Sequence, residues 1–170
     1  MIQAVLFDLD ETLFDRTSAL IACIRGQHNR FGEISHRVSQ DLYLSSFIEL
    51  DQHGYANRDL LYAQLLDKFG LPQSLHGQLS RDWHTNYLAQ GKGFVGMHET
   101  LTALQRSMLR LGLVTNGSTK TQQCKIDQLE IARYFDAILI SEAIGIRKPD
   151  PRIFELALYL LKKGGQRQGK

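Results

Sequence analysis

The chain has 170 residues, of which 43% are hydrophobic, and a formal net charge of +2. This length suits one domain, or one domain with a small insertion, and the hydrophobic content is sufficient for a buried core. The sequence lacks both the basic, aromatic-interleaved pattern of nucleic-acid-binding proteins and a long apolar span, so we expect neither a nucleic-acid partner nor a membrane location. Two distant cysteines, Cys23 and Cys124, indicate a reduced, cytoplasmic protein.

The first predicted strand is the apolar run Ala4–Phe7, which stops abruptly at Asp8 and Asp10. An unbroken apolar run is typical of a strand buried on both faces in a parallel sheet. In open α/β sheets, ligands bind beyond the carboxyl ends of the strands. Because Asp10 lies past the strand, in the turn, both carboxylates can point into one crevice.

Paired carboxylates at this position can perform several kinds of chemistry. One can attack an electrophile and form a covalent intermediate, while the other transfers protons. Together they also form a hard-oxygen site for a divalent cation. In the alternative interpretation Asp10 only caps the following helix and Asp8 is a solvated turn residue.

The next segment is predicted to be helical throughout. A first helix spans about Thr17 to Phe31, and the region from Ser35 to Gln90 has helical spacing. Its apolar residues form three sets, which are Leu42, Tyr43, Phe47, Ile48 and Leu50; Leu60, Leu61, Leu65, Leu66 and Phe69; and Leu79, Trp83, Tyr87 and Leu88. We therefore expect an inserted helical bundle over residues 17–91, within an α/β core domain formed by residues 1–16 and 92–163.

An α/β pattern resumes after this insertion. The predicted strands are Leu109–Val114 and Asp136–Ile140, and the predicted helices are Glu99–Arg106, Thr119–Leu129 and Arg152–Lys162. Thr115, Asn116 and Gly117 follow the second strand, and their hydroxyl and backbone amides suit an anion such as a phosphoryl group. Lys148, before Pro149, would supply a fixed positive charge. Taken singly, Asn116-Gly117 is also a generic turn pair and Lys148 a solvated loop lysine.

These motifs, in this order, resemble the haloacid dehalogenase-like hydrolases. The motifs are Asp8-Leu9-Asp10-Glu11-Thr12, Val114-Thr115-Asn116-Gly117, and the segment from Ser141 to Phe154 that contains Lys148-Pro149. The resemblance covers residues 1 to about 161. It implies a doubly wound, Rossmann-like parallel sheet with an inserted α-helical cap after the first strand.

The resemblance also implies a role for each matching residue. Asp8 would take the phosphoryl group as nucleophile, and Asp10 would protonate the leaving alcohol and then activate water. Thr115, Asn116 and Gly117 would hold the transferring group, and Lys148 would neutralise charge. Asp8 and the carbonyl of Asp10 would bind Mg²⁺.

The resemblance therefore implies a Mg²⁺-dependent phosphatase of small phosphorylated metabolites that forms an aspartyl-phosphate. Dehalogenase chemistry is disfavoured, because the dehalogenases of the family lack the second carboxylate, here Asp10.

The family's fourth motif, whose acids complete the Mg²⁺ site, has no match, because no Asp or Glu follows Glu155. We therefore expect a C-terminally truncated core, a weakened Mg²⁺ site and impaired hydrolysis. Glu142 and Asp150 are the nearest substitute acids, although helix capping is the simpler account of Asp150. The polar, Gly-rich segment 164–170 is predicted to be disordered.

Loss of a neighbouring strand would also leave Ala4–Phe7 as an apolar sheet edge, through which a homodimer could form. The alternative function is that of a catalytically inactive protein of the same fold that only binds phosphate or a partner.

Overall fold

The computed structural model describes residues 2–163 and shows an α/β protein built on a three-stranded parallel sheet. Within this range the chain forms two compact units, residues 2–16 with 92–163 and residues 17–91. The predicted α/β class and parallel sheet are confirmed. The segment 164–170, for which disorder is predicted, lies outside the described residues.

The elements follow the expected alternation of strands and helices in the first unit. The strands are β1 (Ala4–Phe7), β2 (Arg110–Thr115) and β3 (Ala137–Ile140). The α-helices are, in chain order, α1 (Arg16–Arg30), α2 (Gly32–Ser35), α3 (Gln40–Asp51), α4 (Arg58–Lys68), α5 (His76–Asn86), α6 (Met97–Arg106), α7 (Thr119–Gln128), α8 (Ser141–Ile144) and α9 (Pro151–Lys163). Short 3₁₀ turns occupy Gln52–Gly54, Gln73–Leu75, Leu88–Gln90 and Ala132–Tyr134.

The strand order β1-β2-β3 aligns the three carboxyl ends at one side of the sheet. Phe7 pairs with Leu113, and Thr115 pairs with Ile140. All three strands run in parallel, so the residues that follow them converge on one edge, where parallel sheets bind ligands. The register therefore brings Asp8, Asn116 and the segment after β3 close together.

Helix α9 covers one face of the sheet. Its Ile153 and Ala157 pack against Val114 of β2 and Leu139 of β3 in one buried cluster. A Cβ on Gly112 would lie 2.6 Å from Cδ2 of Leu6. Glycine at this position of β2 therefore leaves the space that the Leu6 side chain of β1 occupies. The alternate residues of β2, Leu111 and Leu113, point to the opposite face and are also fully buried.

Asp150 caps α9, as predicted. Its Oδ1 accepts a hydrogen bond from the amide of Arg152 at 3.0 Å, and Pro151 occupies the first helical position. Proline suits that position because the amide it lacks would have no partner inside the helix.

Strand β1 lies at an edge of the described sheet and pairs with β2 alone. Its four residues are half-buried. The expectation of a strand buried on both faces is therefore wrong for this chain segment, and the expected edge position is found instead. Pairing of this edge with a second chain stays a prediction.

The second unit is a bundle of helices with an aromatic core. The buried members of the three predicted apolar sets are Tyr43, Phe47, Leu61, Leu65, Leu66, Leu79, Trp83 and Tyr87. Leu42, Ile48 and Leu60 are exposed, because they lie outside the i, i+4 stripe that faces the core. Gln27 is fully buried at the centre, where its side-chain oxygen accepts hydrogen bonds from the hydroxyls of Tyr43 and Tyr62.

No helix in the described part of the chain combines the length and apolar character needed to span a bilayer.

The packing of α9 makes a prediction about stability. We expect Ile153→Ala to lower the free energy of unfolding by about 2–5 kcal/mol, because it leaves a cavity between α9 and the sheet. Leu158→Ala, at an exposed position of the same helix, serves as the matched control and should change stability by less than about 0.5 kcal/mol. Urea denaturation of both variants measures the difference, and equal losses would contradict this packing.

Candidate active site

The turn after β1 is built around the carbonyl oxygen of Leu9. It accepts hydrogen bonds from the amides of Leu13 and Phe14, both at 2.9 Å, and from the amide of Thr12 at 3.4 Å. The side chains of Leu9, Leu13 and Phe14 are buried and anchor the turn. Because these apolar residues point inward, the turn presents the carboxylates of Asp8 and Asp10 on its outer side.

Asp8 and Lys148 are in direct contact. The Lys148 Nζ atom lies 2.7 Å from Oδ1 of Asp8, and the amide of Leu9 donates to the same oxygen at 2.7 Å. The Asp8 side chain is 44% exposed and that of Lys148 is 20% exposed. The structure thus brings these two predicted residues together, with the carboxylate open to solvent.

The side chain of Asn116 fixes the backbone of Lys148. Its Nδ2 donates to the carbonyl oxygen of Lys148 at 3.0 Å, and its Oδ1 accepts from the amide of Lys148 at 2.9 Å. The peptide bond that follows, Lys148–Pro149, is cis. This pair of hydrogen bonds ties the loop after β2 to the loop that carries the lysine. The sequence predicted a role for Asn116 through its backbone amide and gave no indication of this side-chain contact.

Asp10 is held by helix α7. The Nζ atom of Lys125 lies 2.7 Å from Oδ1 and 3.0 Å from Oδ2 of Asp10. Gln122 donates through Nε2 to Oδ2 of Asp10 at 3.1 Å and to Oγ1 of Thr115 at 2.6 Å. Gln122 therefore links Asp10 to the buried hydroxyl of Thr115, and the predicted residues Asp10 and Thr115 are neighbours.

Lys125 and Gln122 were not predicted from the sequence. They lie on the buried face of α7 together with Ile126, at the i, i+3, i+4 spacing of an amphipathic helix. Polar residues on such a face are the one sequence signal that could have found them. Burial lowers the pKa of Lys125, and the neighbouring carboxylate of Asp10 acts in the opposite direction.

Gly117 takes part in the turn before α7. Its amide donates to Oγ of Ser141 at 3.1 Å, so this predicted phosphate-binding amide has a protein partner in the structure. Its φ of +143° is unfavourable for other residues, and a Cβ would lie 2.9 Å from Cγ of Gln122. Glycine therefore leaves the space that the Gln122 side chain occupies.

The oxygen atoms near Asp8 suit a magnesium ion in their chemistry. Mg²⁺ in proteins is held by one or two carboxylates, with water and substrate phosphate completing six ligands. The Asp8 carboxylate and the Asp10 carbonyl are donors of that kind. Among residues 2–163 there is no group of three or more His, Cys, Asp or Glu side chains placed to hold a metal ion.

The two nearest substitute acids contact other groups. Glu142 accepts from the amide of Thr119 at 2.7 Å, and Asp150 caps α9. Asp8 and Asp10 therefore stay the predicted metal ligands, and neither Glu142 nor Asp150 replaces the missing acids.

Known proteins match this chain over most of its length. Residues 5–166 match the haloacid dehalogenase-like hydrolase family. The chain is 30% identical over 162 residues to the glyceraldehyde 3-phosphate phosphatase of Pyrococcus abyssi, a match that covers 93% of this chain and 67% of that protein. It is 28% identical over 159 residues to the pyrimidine 5'-nucleotidase PynA of Streptococcus pneumoniae, covering 89% of this chain and 66% of that protein.

A solved structure supports the fold. A putative β-phosphoglucomutase from Thermotoga maritima superimposes with a TM-score of 0.75 at 21% identity, over 95% of this chain and 71% of that chain. In the sequence comparisons, the chain spans about two thirds of the length of the two curated relatives named above. The family match over almost all its residues, and a phosphatase relative at this identity, show that the chain belongs to the haloacid dehalogenase-like hydrolases of the phosphatase type.

Proposed function

We propose that the chain hydrolyses small phosphomonoesters by transferring their phosphoryl group to Asp8. The observation that carries this proposal is the 2.7 Å contact between Nζ of Lys148 and the half-exposed carboxylate of Asp8. A nucleophile that attacks a phosphate dianion needs positive charge at the reacting centre, and phosphoryl transfer depends chiefly on positioning and charge neutralisation. The contact with Lys148 places positive charge beside the attacking oxygen and holds the carboxylate in position.

In the first step, a carboxylate oxygen of Asp8 attacks the phosphorus atom. The bond from phosphorus to the ester oxygen breaks, and Asp10, which must carry a proton when substrate is bound, gives that proton to the departing alkoxide. Lys148 balances the negative charge that accumulates on the phosphoryl oxygens. The products of this step are the free alcohol and a phosphorylated Asp8.

In the second step, water attacks the phosphorus of the phosphorylated Asp8. Asp10, now ionised, accepts a proton from that water, and the bond between phosphorus and the Asp8 oxygen breaks. Inorganic phosphate leaves, and both carboxylates return to their starting state. Thr115, with the backbone amide of Asn116, is proposed to contact the phosphoryl oxygens during both steps, and the Gly117 amide would join them only if it left Ser141.

Asp8 and the carbonyl of Asp10 would hold Mg²⁺, which when bound neutralises phosphate charge and orients the phosphoryl group. Because residues 2–163 contribute so few acidic ligands, we propose that this site binds Mg²⁺ weakly and that hydrolysis is correspondingly slow.

The substrate is proposed to be a small phosphorylated metabolite. Relatives named as a glyceraldehyde 3-phosphate phosphatase and a pyrimidine 5'-nucleotidase support a sugar phosphate or nucleotide monophosphate as the first candidates. The helical unit of residues 17–91 is proposed to act as the cap that selects among them.

Replacing the nucleophile tests the reaction directly. Asp8→Asn should reduce hydrolysis of p-nitrophenyl phosphate to the background rate, because an amide cannot form the covalent intermediate. Asp127→Asn, an exposed carboxylate on α7, is the matched control and should keep the wild-type rate. Equal rates for Asp8→Asn and wild type would remove the enzymatic proposal and favour the alternative of a protein that only binds phosphate.

Replacing the cation tests the role of Lys148. Lys148→Met should lower kcat by about 10²–10³-fold, the loss found when one charge-stabilising donor is removed from a reacting centre. Lys148→Arg keeps the charge and should recover part of that loss. If Lys148→Met retains the wild-type kcat, the contact with Asp8 is structural only.

Metal dependence is tested by removal and return of the ion. Treatment with EDTA should abolish turnover, and added Mg²⁺ should restore it. The rate should keep rising to high Mg²⁺ concentrations, because few acidic ligands hold the ion and its affinity is low. Turnover that survives EDTA would contradict the metal assignment.

A further inference from the structure

We propose that Lys125 and Gln122 are positioning residues that hold the Asp10 carboxylate in the orientation required for proton transfer. This inference rests on the proposed function, in which Asp10 protonates the leaving group. It concerns two residues of α7 that the reaction steps above do not use.

The first support is the number of contacts on one carboxylate. Lys125 approaches both oxygens of Asp10, at 2.7 and 3.0 Å, and Gln122 donates to Oδ2 at 3.1 Å. A carboxylate held at both oxygens has little freedom to rotate. Proton transfer requires such a fixed geometry, because the acid must reach the leaving oxygen at hydrogen-bond distance.

The second support is the contrast in exposure across the pair. The side chain of Lys125 is 4% exposed, whereas that of Asp10 is 25% exposed. The ammonium therefore contacts Asp10 from the protein side, and the remaining surface of the carboxylate stays accessible to a substrate. The same ammonium lies 4.9 Å from the centre of the Phe14 ring, so an aromatic face also fixes its position.

The third support is that Gln122 couples two functional groups. One Nε2 group donates both to Asp10 and to Oγ1 of Thr115, the hydroxyl proposed to contact the phosphoryl group. Gln122 thus keeps the proton donor and the phosphate-binding hydroxyl at a constant separation. Gly117 accommodates its side chain, since any Cβ there would collide with Gln122.

Burial of the Lys125 ammonium costs stability, because the charge loses its hydration. Replacement of a buried ion pair by well-packed hydrophobic residues often leaves the stability of a protein unchanged or raises it. A buried cation that touches the proposed acid is therefore explained better by positioning than by folding alone. Rules of local sequence preference are commonly broken at functional sites for this reason.

The test compares two leaving groups. The parameter kcat/KM includes only steps up to release of the alcohol, so it reports how much that step depends on protonation by Asp10. An alkyl phosphate such as glycerol phosphate has a poor leaving group and needs the proton, whereas p-nitrophenyl phosphate needs it much less. We expect Lys125→Met to lower kcat/KM for the alkyl phosphate by about 10- to 100-fold. The loss with p-nitrophenyl phosphate should be less than about threefold, because that leaving group needs little protonation.

Matched variants separate positioning from folding. Lys120→Met, an exposed lysine on the same helix, should leave both substrates unaffected. Gln122→Met keeps the buried cation. It should lower kcat/KM for both substrates through the loss of the Thr115 contact, and lower it further for the alkyl phosphate through the loss of the Asp10 contact. This difference between the substrates decides the question if Lys125→Met does not fold. Circular dichroism and thermal unfolding establish which variants are folded.

Equal losses for the two substrates, or no loss for either, would overturn this inference and assign Lys125 and Gln122 a structural role. Wild-type turnover that depends on Asp8 but not on these residues would overturn the inference alone. If the wild-type chain shows no turnover, or turnover that Asp8→Asn does not reduce, the proposed function and this inference are both overturned.

Discussion

The contact between Lys148 and Asp8 is the interaction on which the site depends. It joins the end of β1 to the loop after β3, two segments that meet because the three strands are parallel and end at one side of the sheet. Half-exposed ion pairs of this kind contribute little to stability, with typical values of about 0–1 kcal/mol. Its importance is therefore geometric, and the two hydrogen bonds from Asn116 to the Lys148 backbone maintain that geometry.

The two carboxylates of the first motif have the same chemistry and different surroundings. Asp8 contacts a cation at the solvent-exposed side of the site, and Asp10 contacts the buried ammonium of Lys125 on α7. Different environments allow two identical groups to take different roles, here the proposed roles of nucleophile and proton donor. The difference arises because the lysine beside Asp8 lies in the loop after β3, whereas the lysine beside Asp10 lies on α7.

Much of the fold and part of the site could be predicted from the sequence. The apolar runs that form β1, β2 and β3 end in polar residues, and parallel pairing then places Asp8 beside Lys148. The ends of the strands do not identify Lys125 and Gln122, which lie within a helix, where polar residues are normally solvated. Their burial depends on the tertiary packing of α7. Leu42, Ile48 and Leu60 belong to the apolar sets that predicted the helical bundle, yet they are exposed, because apolar spacing alone does not show which residues face the core.

The most direct test of the central claim is to trap the phosphorylated enzyme. The chain is mixed with a phosphomonoester and Mg²⁺, quenched in acid, digested and analysed by mass spectrometry. The account predicts one added phosphoryl group on the peptide that contains Asp8, removable by hydroxylamine as an acyl phosphate is, and absent from Asp8→Asn. A phosphoryl group on another residue, or hydrolysis without any phosphorylated Asp8, would contradict it.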